Sequence, residues 1–138
     1  MPPSNVEILE ALLPDRAVDL AALLRDDAAW EALAEGLRDV TDPEFEAAAP
    51  WGTYSGVDGF RAMWLDWLEP WESYHVQVEE TVERGDSVVV LVRDRGRRHD
   101  TDAEVELISG SVWTFRDGRI AAIRFYPNRE ELREGLAG

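Results

Sequence analysis

The apolar residues of this chain change their spacing at Tyr74. Before it they recur at helical intervals; after it they alternate. Trp30, Leu33, Ala34, Leu37 and Val40 form one helical stripe, and Phe60, Trp64, Trp67, Leu68 and Trp71 form a second. Two shorter stripes precede these: Val6, Leu9 and Leu13 up to Pro14, then Val18, Ala21 and Leu24. From Tyr74 onward, Tyr74, Val76 and Val78 alternate with His75, Gln77 and Glu79. Helices gathered before strands predict an α+β fold: N-terminal helices packed on a strongly curved, mostly antiparallel sheet. At 138 residues the chain suits one domain, residues 1–138, with one core.

Local signals set the expected boundaries. Residues 45–50 read as a short strand, and Trp51-Gly52-Thr53-Tyr54-Ser55-Gly56 reads as an ordered loop. Ser55 and Asp58 have the spacing of a capping box at the start of the second stripe, and Pro70 stops or kinks that helix. Gly85-Asp86, Arg95-Gly96-Arg97-Arg98 and Asp117-Gly118 read as turns between four strands, the last being the strongest hairpin signal. Asn128 and Glu131 have capping spacing for a short final helix.

Charge and composition remove several classes of function. The net charge of −15 repels phosphate backbones and anionic membrane surfaces, so neither nucleic acid nor membrane is an expected partner. The chain has no cysteine, which removes disulfides and thiolate chemistry. Its longest apolar run, Val88 to Val92, is too short to span a bilayer. Met1-Pro2-Pro3-Ser4 does not begin a signal peptide, so a cytoplasmic location is expected. His99, Asp100 and Asp102 lack the remaining ligands of a calcium loop, and neither a metal nor a cofactor is expected.

Three segments carry a family resemblance. Tyr54 to Phe60 followed by Trp64 is similar to the strand–loop–helix of the nuclear transport factor 2-like superfamily. Gly85 to Val90 resembles its central hairpin, and Val112 to Ile120 its final hairpin. Within that superfamily the chain is most similar to the SnoaL-like branch, over roughly residues 5–136 by order of elements. The resemblance implies a cone with a pocket between the helices and the concave sheet. It also implies relatives of several kinds: ketosteroid isomerases, epoxide hydrolases, dehydratases, polyketide cyclases and proteins that only bind. Where the isomerases carry their two catalytic carboxylates, this chain has Ala49 and Ser111.

Strand parity then nominates the site. Ser109, Ser111, Trp113 and Phe115 share one face of their strand, and by the hairpin likeness Val88, Val90, Val92 and Asp94 face the same way. Asp94 is thus the one carboxylate on an apolar inward face, where burial raises a carboxyl pKa and suits it to general acid–base work. The competing placement is a strand-end Asp94 paired in solvent with Arg95, Arg97 or Arg98. His75 falls on the outward parity, and His99 falls in the Arg-rich turn. Six Trp residues are many for this length. Trp64 and Trp67 on the helix, Trp113 on the sheet, and Trp51 and Tyr54 in the loop are expected to wall a pocket for a small apolar molecule. Trp71 is expected to extend that helix face. The outer sheet face, with Arg93, Glu104, Glu106, Ile108 and Val112, suits a homodimer surface or a solvated one. A non-catalytic ligand-binding domain and a protein-interaction module stay open beside the enzyme.

Overall fold

Three short helices lead into the sheet in the computed structural model, which describes residues 4–137. Met1, Pro2 and Pro3, on which the expectation about a leader partly rests, lie outside the described residues. Helix α1 spans Asn5–Glu10 and opens with a capping box between Ser4 and Glu7. Helix α2 spans Leu20–Arg25, with Asp19 accepting from the Ala21 and Ala22 N–H groups. Helix α3 spans Asp27–Val40, capped by Asp26, and buries Trp30, Ala34 and Leu37. These three caps satisfy backbone donors that a helix start leaves unpaired.

The chain passes straight from α3 into strand β1, Thr41–Ala49, and then into the short strand β2, Gly52–Ser55. Helix α4 follows at Gly56–Leu68. The long strands β3 (Trp71–Arg84), β4 (Ser87–Arg98), β5 (Glu104–Arg116) and β6 (Arg119–Tyr126) form a meander, and helix α5 closes the described chain at Arg129–Ala137. The sheet order is β2-β1-β6-β5-β4-β3, antiparallel at every step except β1 beside β6. The expected α+β class and curved sheet are what the chain adopts.

Irregularities bend the sheet into a cone. Register shifts fall between Trp71 and Ser73, between Val78 and Glu80, and between Thr114 and Phe115. An extra residue in one strand bends it and increases its twist. The β1–β6 register also breaks between Thr41 and Glu46, the stretch that holds Pro43, which has no N–H to offer a ladder. At the β5–β6 hairpin Asp117 and Gly118 both take positive φ, 53° and 77°, as the Asp-Gly signal predicts.

Several boundaries differ from expectation. Arg95-Gly96-Arg97-Arg98 is the end of β4, and the turn lies at residues 99–103. The strand continues because Gly96 faces inward beneath the Trp71 ring, while Arg97 and Arg95 approach Glu72 at 3.5 Å and Glu104 at 4.0 Å on the neighbouring strands. Trp71 begins β3 instead of extending α4. Arg25 fixes that corner, its guanidinium donating to the carbonyls of Leu68 and Trp71, each at 2.7 Å. The expected loop at residues 51–56 contains β2, paired with β1. Ser55 precedes α4 in cap position, but its side chain makes no cap hydrogen bond. At α5 the Asn128 side chain does accept from the Glu131 N–H, at 2.8 Å.

Candidate active site

A cavity of about 290 Å³ lies between the concave sheet and the helices. Its sheet wall comes from Val76 on β3, Val90, Val92 and Asp94 on β4, and Ser111 and Trp113 on β5. Phe60 and Trp64 of α4 face these across the cavity, with Phe125 of β6 beside them. Leu20, Leu23 and Leu24 of α2, with Leu33 and Leu37 of α3, form the helical side. Leu12, Leu13 and Val18, from the segment joining α1 to α2, add to the lining. Asp94 is the only titratable side chain among these residues.

The β4–β5 register explains why the sheet residues converge. Val88 is opposite Trp113, Val90 opposite Ser111, and Val92 opposite Ser109. Directly opposed residues share a face, so one alternation on each strand supplies the wall. Asp94 continues that alternation past Val92. The side chain is fully buried, and it is not paired with Arg95, Arg97 or Arg98.

Asp94 is held through one oxygen. The Tyr74 hydroxyl donates to Oδ2 at 2.5 Å, and the Ser109 hydroxyl donates to the same atom at 2.9 Å. Oδ1 is buried and has no partner among the described residues. Burial pushes the Asp94 pKa up to about 6, while the two hydroxyls and the charge of Arg129 favour the ionised form. Desolvation, not a neighbouring charge, is thus the dominant cause. Tyr74 is pushed far upward by its own burial and by the Asp94 carboxylate beside it, so it remains a donor throughout the physiological range.

The tryptophans divide between two tasks. Trp64 and Trp113 line the cavity, and the Trp113 indole N–H donates to Ser111 Oγ at 2.9 Å. Trp67 and Trp71 do not line it. They stand behind Tyr74, with ring centroids 6.3 and 5.5 Å from the Tyr74 ring, and Trp64 meets the same ring at 6.1 Å. Tyr74 is therefore enclosed by three indoles, which keep water from its bond to Asp94. The Trp67 N–H lies near enough to the Tyr74 oxygen to favour its ionised form, yet falls short of hydrogen-bond geometry. Trp51 stacks on Trp67 at 5.4 Å and 12°, away from the cavity. Tyr54 lies on β2, where its hydroxyl donates to Asp66 at 2.5 Å, also away from the cavity. Ser109 touches the site only through Asp94.

The sequence profile of the SnoaL-like domain family matches residues 7–123. The chain belongs to the SnoaL-like family. No curated protein is significantly similar to it in sequence. Among solved structures, this SnoaL-like chain resembles a Jannaschia sp. CCS1 protein classed as a SnoaL-like polyketide cyclase. The identity is 19% and the TM-score 0.66, over 97% of this chain and 92% of that one. It is similar also to TerC, crystallised with polyporic acid, at 20% identity and a TM-score of 0.66 over 97% and 98% of the two chains. An NTF2-like protein of unknown function from Burkholderia pseudomallei K96243 matches at 16% identity, with the same TM-score and the same coverage. At these identities the likeness establishes the fold of this SnoaL-like protein and no activity.

Several site residues were not among those expected from the sequence, including Phe60, Val76 and Phe125 on the lining, Tyr74 behind Asp94, and the leucines of the helical side. Tyr74 has the inward parity of Val76 and sits diagonally from Asp94, because Val76 is the residue opposite Asp94. That pairing was the signal that could have found it. The leucines of residues 12–24 carry only ordinary helical periodicity and gave no such signal. Of the expected site residues, Asp94, Trp64, Val90, Val92, Ser111 and Trp113 are brought together around the cavity. His75 lies elsewhere, its Nδ1 3.1 Å from the Arg16 carbonyl, and His99 is exposed in its turn. No helix among the described residues is long and apolar enough to cross a membrane.

Proposed function

We propose that this protein binds a small apolar molecule in its cavity and that Asp94 serves there as general base and general acid. One observation carries the reading. An apolar cavity contains a single carboxyl that is fully buried, fixed through Oδ2 and free at Oδ1. A carboxyl with a pKa of about 6 exchanges protons near neutral pH. The chemistry that suits it moves a proton within one molecule. Asp94 takes a proton from a C–H or O–H of the ligand, holds it, and returns it at another atom. Such an isomerisation or ring closure balances without a co-reactant. Tyr74 and Ser109 act as positioning residues: they hold the carboxylate and stabilise its charged form.

Solvent exchange tests the proposal. β-Tetralone, an apolar two-ring ketone with acidic C–H bonds, is incubated with the protein in deuterium oxide, and deuterium uptake is followed by mass spectrometry. The expected result is uptake faster than in buffer, reduced about a hundredfold or more in Asp94→Asn. Uptake at the same rate in wild type and variant would overturn the catalytic role.

A second reading, a non-catalytic ligand-binding domain, draws on one observation. No second acid among the described residues lines the cavity to stabilise an oxyanion, since Ser111 lines it and Ala49 does not. Binding without exchange would favour this reading. For assembly we propose a homodimer through the outer sheet face, where Ile108 is exposed beside the Arg93–Glu106 and Arg93–Glu79 ion pairs. Analytical ultracentrifugation with Ile108→Asp tests it; a monomeric wild type would overturn it.

A further inference from the structure

We infer that the cavity selects an elongated, uncharged ligand with an apolar middle, a hydrogen-bond donor at one end for Asp94 Oδ1, and an acceptor at the other end for the Ser111 hydroxyl. This rests on the ligand-binding reading above and specifies its substrate class.

The register supplies the spacing. Ser111 is opposite Val90, and Asp94 lies four residues further along the same strand. At about 3.3 Å per residue, the two polar positions are roughly 13 Å apart along β4. Val90 and Val92 line the wall between them. Among the described residues no other polar side chain lines the cavity, so a ligand finds one polar contact at each end and only hydrocarbon between.

The two ends differ in hydrogen-bonding character, since an ionised Asp94 only accepts while Ser111 can donate. At Asp94 the free atom is a carboxylate oxygen, an acceptor whenever the group is ionised. Buried and unpartnered, it favours a ligand that brings an O–H or N–H to it. At Ser111 the oxygen already accepts from the Trp113 indole, which leaves the hydroxyl hydrogen to donate. A ligand carbonyl or ether oxygen fits there. A carboxylic acid does not fit at either end of this cavity as a whole. Its ionised form would share a dry space with Asp94, no cationic side chain among the described residues lines the cavity, and the protein carries a net charge of −15.

A biphenyl carrying a para hydroxyl on one ring and a para acetyl on the other has suitable length and polarity. Its affinity is measured by calorimetry on the whole protein, beside three analogues: the methyl ether, the hydroxybiphenyl without acetyl, and biphenyl carboxylic acid. The two-ended compound should bind at least about tenfold more tightly than any of the three, the effect of one hydrogen bond to a buried polar group. Asp94→Asn should erase its advantage over the methyl ether, and Ser111→Ala its advantage over the hydroxybiphenyl. The ligand arms need no variant, so a poorly folded mutant does not obscure the answer. Equal affinity for the neutral compounds, or tighter binding of the acid, would overturn the inference while leaving the binding reading intact. Failure of all four to bind would overturn both.

Discussion

The Tyr74 hydroxyl and the Asp94 carboxylate meet at 2.5 Å with both side chains fully buried, on adjacent strands and two residue pairs out of register. Tyr74 leaves one carboxylate oxygen satisfied and the other free. Its ring also packs against three indoles, Trp64 on the cavity side and Trp67 and Trp71 behind.

Replacing Tyr74 with Phe should separate the two contributions. The ring and its packing remain, and one donor to Oδ2 is lost. Because that donor favours the ionised form, the Asp94 pKa should rise above its value of about 6. Leaving a buried carboxylate with one partner fewer should cost about 1–3 kcal/mol of stability near neutral pH. Urea denaturation measures the cost. An unchanged stability and an unchanged Asp94 titration would contradict this role.

The same carboxyl should leave its mark on stability against pH. Its folded pKa of about 6 lies above the ordinary value of 3.8, so the folded state holds the proton more tightly than the unfolded state. The contribution is complete below the ordinary value and is lost as pH rises through the folded one. Over that window the loss amounts to about 3 kcal/mol. Asp94→Asn does not titrate. Its stability relative to wild type should therefore improve by up to about 3 kcal/mol between about pH 4 and about pH 7.5. Asp42 and Glu79, whose pKa values are lowered by hydrogen bonds to their neighbours, act in the opposite sense in acid. They are common to both proteins and cancel in the comparison. A difference that does not vary with pH would exclude a raised Asp94 pKa.

Asp19 should matter beyond its helix. Its Oδ1 accepts from the Ala21 and Tyr74 backbone N–H groups, both at 3.0 Å, so one atom joins the start of α2 to β3. Asp19→Ala should cost about 1–2 kcal/mol, the range for losing a helix cap, with Asp19→Asn retaining most of the stability. Thermal denaturation of the pair checks it.

Gly96→Ala should be more damaging than an exposed strand position would suggest. A methyl group there would fall 2.5 Å from Cε3 and 2.7 Å from Cζ3 of Trp71. The ring cannot yield without disturbing Tyr74, which it meets at 5.5 Å. A loss of about 1–3 kcal/mol is expected, as for other overpacked cores. A neutral result would mean that the Trp71 ring has room to move.

The cone and half of its site could be read from the sequence because both depend on parity. Alternation from Tyr74 and the Asp-Gly turn defined the long strands, and the inward set from Val88 to Asp94 opposite Ser109 to Trp113 followed. The remainder depended on contacts that no local pattern encodes. Trp71 follows Trp67 at helical spacing, yet Pro70 and the Arg25 clamp turn the chain there, and the ring joins the shell behind Tyr74. The Arg95–Arg98 run resembles a polar turn, but its charges reach acidic partners on both flanking strands while Gly96 makes room beneath Trp71. Trp51 and Tyr54 were expected in the pocket for their chemistry. Stacking on Trp67 and the bond to Asp66 hold them outside it.

Above all, Asp94 should be a dry, protonatable carboxyl at the edge of an apolar cavity. An NMR titration of its side-chain carboxyl carbon, assigned by loss of the signal in Asp94→Asn, tests this directly. The expected midpoint is about 6, near neutral pH. A midpoint at or below the ordinary carboxyl value of 3.8 would contradict it.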